Sequence, residues 1–283
     1  MAGSMVGDRW VRQSPFSDPG GHGGSLPVGD VGRVGARVRE MVVHYRGAGP
    51  VAVADAGVDL RWAEAILGAV GAGAPVVGCC RDFALLTVAA LRAQGVAART
   101  RVGFAGYLEP GFHTDHVVVE YRDGGRWVRC DTQFEPGSVA GVGLGDLPLD
   151  DPAVFVSASL VWAGYRAGRW DADAFGVSAS LPLRGGWLVG DYVWLEAAHR
   201  CGWEVLLWDS WEVMGPWADA GRTDVMAAAV MAADAGEVGA QEALEVLWDR
   251  WRPRGRVWCA SPSGFRGWVG LGSRGAPVRG VGC

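Results

Sequence analysis

Apolar residues recur at helical spacing in three stretches of the first hundred residues. This pattern predicts one helix from about Val31 to His44, a second over residues 59–70 and a third from about Cys80 to Gln94. Gly95 follows the third stretch at the position where a glycine commonly ends a helix. The third helix is therefore expected to pack in the core and to begin at a pair of adjacent cysteines.

Beyond Gly95 the pattern changes to partial alternation, which is typical of strands. The stretch "ARTRVGFAGYL" predicts one strand, and "HVVVEYRDGGRWVRCDTQF" predicts two more, joined by a tight turn at "DGG". With that turn at Asp123–Gly125, His116 and Asp131 are expected to lie nearly opposite each other on antiparallel strands, because their numbers are almost symmetrical about 124.

The second half of the chain is rich in tryptophan, with 12 of the 15 Trp residues after position 160. Helical patterns recur there at about 187–200, 223–233 and 237–251. We therefore predict four regions: an irregular N-terminal segment over 1–36, a catalytic core over 37–150, a mainly helical Trp-rich extension over 151–260, and a mobile Gly/Arg-rich tail over 261–283.

Composition is that of an ordinary globular protein, with 283 residues, 49% hydrophobic and 20% charged. The net charge of −5 gives no reason to expect nucleic acid or a membrane surface as a partner. No secretory signal or membrane-spanning run is recognised, which predicts a cytoplasmic protein whose six cysteines are mostly reduced.

The chain contains no lysine and no asparagine, and all 26 of its basic residues are arginines. The absence of lysine excludes Schiff-base and lysine-base mechanisms on this chain. The absence of asparagine excludes a Cys-His-Asn triad, so the residue that orients a catalytic histidine would have to be acidic.

Cys80 is the candidate nucleophile. A cysteine at a helix N-terminus is favoured as a thiolate by free amide groups and the helix dipole, and Arg81 is expected to add positive charge beside it. Of only five histidines, His116 is the best candidate for the general base, since it opens a strand and precedes an apolar run. Asp131, on the next strand, would hold the imidazole. Cys79 and Cys130 are expected to be core thiols.

Three ordered blocks of sequence resemble the transglutaminase-like superfamily. They are "GCCRDFALLTVAALRAQGVAAR", "DHVVVEY" and "RWVRCDTQF", which together span about residues 78–134. The resemblance implies an α+β, papain-like core in which a helix carrying the cysteine packs on an antiparallel sheet carrying the histidine and aspartate. It places Cys80, His116 and Asp131 on the catalytic triad. Val118 and Ala97 depart from the family pattern, which usually has Trp and Pro there, but neither removes a catalytic group.

Other groups near these blocks are weaker candidates. The amide of Cys80 would supply one oxyanion donor, and the N–H of Trp62 is the candidate for the second. His113 and Asp115 could orient substrate, although solvated loop positions are the simpler interpretation. The spacing of "CC" and "HTDH" is not that of a zinc site, so neither a metal nor a cofactor is expected.

These residues predict acyl transfer through a Cys80 thioester. The acyl donor would be a small molecule or peptide, and the acceptor would be water in an amide hydrolase or an amine in an acyltransferase. A role in biosynthesis is compatible with either. Two alternatives stay open: an enzyme like the arylamine N-acetyltransferases, whose Arg-Gly-Gly-x-Cys signature is absent here, and a non-catalytic binding protein with a vestigial site. The oligomeric state is not predicted.

Overall fold

The computed structural model describes residues 9–47, 56–148 and 150–272. The helices in these ranges are α1 (Val31–Met41), α2 (Ala63–Val70), α3 (Cys80–Ala93), α4 (Ala158–Arg166), α5 (Gly186–Arg200), α6 (Ala220–Asp234) and α7 (Ala240–Trp251). The strands are β1 (Val42–His44), β2 (Val76–Gly78), β3 (Ala98–Glu109), β4 (Phe112–Asp123), β5 (Arg126–Cys130), β6 (Phe155–Ser157), β7 (Phe175–Gly176), β8 (Asp209–Ser210), β9 (Arg256–Ala260) and β10 (Arg266–Gly270). None of these helices is long and apolar enough to cross a bilayer.

The main sheet has the strand order β5-β4-β3-β6, with β7 pairing parallel to the start of β4. The long strands β3 and β4 form an antiparallel hairpin, and β5 returns along the other edge of β4. At Gly103, opposite His116 on β4, a Cβ would lie 2.2 Å from the carbonyl oxygen of Val156. Only glycine lets β6 approach β3 this closely beside His116.

Helix α3 is the central helix of the core. Its residues Cys80–Arg92 are all buried, and it contacts the sheet strands β3 and β4 and helix α1. A helix that is enclosed on every side is expected to be apolar around its whole circumference. The polar groups that α3 does carry must therefore find partners inside the protein.

The second half of the chain packs on the same core. Helix α5 lies against β3 and against helices α4 and α6, while β8, β9 and β10 form a separate three-stranded antiparallel sheet. One continuous cluster of buried apolar side chains extends from Phe16 to Val269. The Trp-rich part of the chain therefore completes the core around α3.

The α+β fold, with a cysteine-bearing helix packed on an antiparallel sheet, is confirmed. Several predicted boundaries need correction. The first predicted helix ends at Met41, and the next three residues form β1, which pairs in parallel with β2. Helix α1 begins at Val31, as its periodicity predicts, so the irregular segment predicted over 1–36 extends too far.

The predicted domain boundaries at 150 and 260 also do not separate structural units. Strand β6 belongs to the main sheet although it lies beyond residue 150, and β10 occupies part of the predicted mobile tail. Residues 1–8 of the predicted N-terminal segment and 273–283 of the tail lie outside the described residues.

Glu120 on β4 is the centre of a buried ionic network. Its carboxylate accepts hydrogen bonds from Arg99 and Arg101 of β3, at 2.6 and 3.1 Å, and from Arg129 of β5, at 2.9 Å. Burial alone would raise the pKa of Glu120, but the three arginines lower it well below its usual value. Because Arg99 and Arg129 are the direct cross-strand partners of Glu120, the network fixes the register of β3, β4 and β5.

We expect Glu120→Gln to destabilise the protein by about 3–5 kcal/mol, because it would leave three buried arginines without their shared countercharge. Chemical denaturation of the variant and the wild type measures this difference. Asp146→Asn is the matched control, since it breaks an exposed ion pair with Arg126 and should change stability little. Equal stability changes in the two variants would contradict the role assigned to Glu120.

Candidate active site

The strand β2 and the first turn of α3 position the adjacent cysteines. Cys79 caps the helix, and its amide N–H donates to the Asp82 carboxylate at 2.7 Å. Cys80 is the first helical residue, so its own amide has no acceptor within the helix. Its side chain is only 5% exposed, yet it lines a large cavity.

His116 and Asp131 are in direct contact. The His116 Nε2 lies 2.7 Å from the Asp131 Oδ2, and both side chains are buried. The strand register differs slightly from the sequence prediction. Cys130 pairs with Val119, so Asp131 follows the end of β5 as a diagonal neighbour of His116 instead of facing it directly. Diagonal side chains share a face of the sheet, and the two groups therefore still meet.

Two further groups hold the Asp131 carboxylate. The Tyr107 hydroxyl donates to Oδ2 at 2.6 Å, and the Gln133 amide N–H donates to Oδ1 at 2.9 Å. The Tyr107 ring also contacts the edge of the His116 ring, with centroids 6.2 Å apart. Tyr107 is not among the site residues predicted from the sequence. The sequence signal was weak, because Tyr107 lies at the end of β3 beyond the part of the strand that alternates clearly.

The imidazole of His116 is held as a cation. Burial opposes its charge, but the neighbouring Asp131 carboxylate outweighs burial and raises the pKa of His116 to about 10. Nε2 is occupied by Asp131, so Nδ1 is the nitrogen left for the hydrogen bond with Cys80. Cys80, His116 and Asp131 form a chain of contacts. The Asp131 carboxylate favours the imidazolium form of His116, and the imidazolium favours the thiolate form of Cys80.

The two adjacent thiols have opposite properties. A hydrogen bond from Cys79 lowers the pKa of Cys80, whereas burial raises this pKa. Further hydrogen bonds with His116 and His44 lower it again, so that the pKa of Cys80 lies well below that of an ordinary cysteine. Burial raises the pKa of Cys79 well above its usual value. Cys80 is therefore the thiolate of the pair, and Cys79 remains a neutral thiol that can donate to it.

His44 is a site residue that sequence analysis did not select. It ends β1, which pairs in parallel with β2 so that His44 lies opposite Gly78, two residues before Cys80. The Arg46 amide N–H donates to the His44 Nδ1 at 3.2 Å, so a neutral His44 carries its proton on Nε2. That Nε2–H is a donor beside the Cys80 sulfur. The predicted helix over 31–44 concealed this pairing of strands.

The triad opens into a cavity of about 1040 Å³. Cys80, His44 and His116 lie on its wall, and leucine, tryptophan and methionine side chains make up much of the remainder. The size of the cavity is suited to a ligand considerably larger than water. Its largely apolar lining is suited to the hydrophobic part of such a ligand.

The three weaker candidates are in different places. Asp115 lines the cavity, where its carboxylate accepts a hydrogen bond from the Tyr192 hydroxyl. The Arg46 Nη2 lies 3.9 Å from the Asp115 Oδ1. Burial and the charge of Cys80 raise the pKa of Asp115 to about 7. His113 stacks on Phe175 instead, away from the cavity lining. Trp62 stacks on Phe16 and does not line the cavity either, so the structure does not bring His113 or Trp62 to the site.

The Arg81 guanidinium points into the protein core and makes no hydrogen bond with Cys80. Its guanidinium donates to the carbonyl oxygens of Arg61 and Glu204 and to the Asp82 carboxylate. Cys130 is buried in the apolar core. Among the described residues, no group of three or more His, Cys, Asp or Glu side chains is arranged to hold a metal ion.

Comparison with protein families relates this geometry to a known class. Residues 67–132 match the model of the transglutaminase-like superfamily. The matched segment begins in α2 and contains Cys80, His116 and Asp131. A comparison with curated proteins finds no match. The family resemblance supports a cysteine-dependent enzyme in general terms.

One solved structure that resembles this chain is described as a "Putative Cysteine Protease from Cytophaga hutchinsonii". The match has a TM-score of 0.35 and 19% sequence identity. It covers 52% of this chain and 47% of the other, so this chain spans about half the length of that protein.

We expect iodoacetamide at pH 6 to label Cys80 before any other cysteine. The physical reason is that, among the described cysteines, Cys80 alone has its pKa lowered. Burial raises the pKa of the others, which are Cys79, Cys130, Cys201 and Cys259. Peptide mapping by mass spectrometry at short reaction times measures the order of labelling. The Cys80→Ala variant is the control and should label slowly. Faster labelling of Cys79 would transfer the role of nucleophile to that residue.

Proposed function

We propose that this protein is a cysteine-dependent acyltransferase or amide hydrolase that works through a Cys80 thioester. The observation that carries the proposal is that Cys80 and His116 lie on the wall of one cavity, and that the His116 Nε2 is 2.7 Å from the buried Asp131 carboxylate. Thiolate, imidazole and carboxylate can serve as the nucleophile, the acid–base group and the orienting group of a cysteine triad.

In the first half of the reaction, the Cys80 sulfur attacks the carbonyl carbon of the acyl donor. The carbonyl π bond breaks and its electrons form an oxyanion. When the tetrahedral intermediate collapses, the bond to the leaving group breaks and His116 gives its Nδ1 proton to that group. The product is a thioester on Cys80 and a neutral His116, whose orientation Asp131 maintains.

In the second half, neutral His116 takes a proton from the acceptor as the acceptor attacks the thioester carbonyl. Collapse of the second tetrahedral intermediate breaks the carbon–sulfur bond and restores the thiolate–imidazolium pair. Water as acceptor gives a carboxylic acid, and an amine gives a new amide. The apolar cavity favours an acyl donor that is a small molecule or peptide with a hydrophobic body, and amide formation would suit a biosynthetic role.

The oxyanion needs two donors, and His44 is the residue we assign as the second. The first is the amide N–H of Cys80 at the start of α3. His44 approaches the same sulfur from β1. The Arg46 amide donates to its Nδ1, which leaves Nε2 as the nitrogen that carries the proton of a neutral His44. A fixed N–H donor beside the nucleophile stabilises negative charge as it develops on the substrate oxygen. This assignment replaces Trp62.

We expect 4-nitrophenyl hexanoate to acylate the enzyme. Mixing should release a burst of 4-nitrophenolate equal to the enzyme concentration, and intact mass should increase by one hexanoyl group located on Cys80. His116→Ala should reduce the acylation rate by about 10²–10⁴-fold. Asp131→Asn should cost less than His116→Ala, because the base remains although its orientation is lost.

Cys79→Ser is the matched control for acylation and should retain the hexanoyl adduct. Adding benzylamine to the acyl-enzyme then separates the two reaction classes: N-benzylhexanamide marks an acyltransferase, and hexanoic acid alone marks a hydrolase. Absence of any adduct on Cys80, together with ordinary thiol reactivity, would instead support the non-catalytic binding protein.

We expect His44→Ala to lower kcat by about 10²–10³-fold with little change in KM, because an oxyanion donor acts in the transition state. His44→Gln should recover part of this loss, since its side-chain amide also offers an N–H donor. Steady-state hydrolysis of 4-nitrophenyl hexanoate measures both constants. A loss that appears only in KM, or that is equal in the two variants, would contradict the assignment.

A further inference from the structure

Helix α5 forms the part of the cavity wall that carries an unusual carboxylate. Leu188, Asp191, Tyr192 and Leu195 all line the cavity, and their spacing of three, four and seven residues places them on one face of the helix. Asp191 is only 7% exposed. The reaction proposed above makes no use of this residue.

Asp191 lacks a positively charged partner. Its Oδ1 accepts one hydrogen bond, from the Gly215 amide at 2.6 Å, and no arginine or histidine in the described residues lies within ion-pair distance. Other buried carboxylates are neutralised, as Asp209 is by Arg61 at 2.6 Å and Glu196 by Arg101 at 2.7 Å. Burial without a cation raises the pKa of Asp191 to about 7.

The side chains that carry positive charge in the described cavity wall are committed elsewhere, and His116 is paired with Asp131. Arg46 donates to the Val177 carbonyl and lies near Asp115, while Arg266 donates to the Ser261 and Phe265 carbonyls. The chain contains no lysine that could supply an ammonium group. Since no described side chain supplies a cation to Asp191, we look to a bound ligand for its partner.

The neighbours of Asp191 specify the kind of cation. Leu188 and Leu195 flank it on the helix, and Met214 lines the cavity next to its hydrogen-bond partner Gly215. A strongly hydrated metal ion is unsuited to such surroundings, because one carboxylate among apolar side chains offers too few oxygen ligands. A protonated amine on a hydrocarbon body is well suited, since the ammonium pairs with Asp191 while the body covers the leucines.

We propose that Asp191 binds the protonated amine of an amphiphilic ligand, and that substrates of this enzyme carry such a group. The inference that substrates carry an amine rests on the acyl-transfer function proposed above. The inference that Asp191 binds an amine does not depend on that function. The ammonium stays protonated and serves for recognition, so it is distinct from the group that reacts at Cys80.

Calorimetric titration of the full-length wild-type protein at pH 8 tests the proposal with two probes of matched size. Hexylammonium should bind at least about tenfold more tightly than 1-hexanol, a difference of about 1.4 kcal/mol. Asp191→Asn should remove most of this preference and leave hexanol binding unchanged. The substitution preserves side-chain volume and an oxygen that can accept from Gly215, so it removes the charge alone.

Asp115→Asn is the matched control, because Asp115 lines the same cavity but already has Arg46 and Tyr192 as partners. It should retain the preference for hexylammonium. Equal affinity of the wild type for the two probes would overturn the proposal, even if Asp191→Asn failed to fold. A loss of both ligands in folded Asp191→Asn, or loss of the preference in Asp115→Asn, would also overturn it. Neither probe is an acyl donor, so these outcomes are independent of whether Cys80 forms a thioester.

Discussion

The cross-strand contact between Glu120 and its three arginines is the constraint on which the active site depends. It joins β3, β4 and β5 in a single register, and that register brings His116 and Asp131 to the same face of the sheet. A slip of one residue would turn one of them to the opposite face and separate the imidazole from its carboxylate. Asp234 extends the network from Arg101 to Arg200 on α5, so the helix with the cavity-lining face is tied to the same charges.

The thiolate depends on a second and independent arrangement, at the point where β2 leads into α3. Cys80 receives hydrogen bonds from three directions: from its neighbour Cys79, from His116 on the main sheet and from His44 on β1. Each donor comes from a different element, so the charge is stabilised only when the helix, the sheet and the small parallel pair β1–β2 are assembled together. This explains how a cysteine that is 5% exposed can hold a negative charge despite the cost of burial.

The sequence was sufficient to predict α3, the antiparallel hairpin and the meeting of His116 with Asp131, because each rests on periodicity or on distance along the chain. It was insufficient for His44 and Tyr107. Their roles depend on contacts between distant segments: His44 on three residues of parallel pairing, and Tyr107 on a carboxylate 24 residues away. For Arg81 the sequence predicted a role that the structure does not support. Its nearness to Cys80 in sequence suggested an electrostatic effect on that thiol, but its guanidinium is directed to the Glu204 carbonyl.

The absence of lysine affects which nucleophile can accept the acyl group, in addition to its effect on ligand binding. In the reaction that we propose, a nucleophile with a free electron pair resolves the thioester at Cys80. The 26 arginine side chains of this chain are guanidinium groups that remain protonated. None of these side chains therefore competes for the acyl group. The second half of the reaction is then decided by what occupies the space beside Cys80. The apolar walls of that space would contact the hydrocarbon body of the ligand, and the Asp191 carboxylate would pair with its ammonium group.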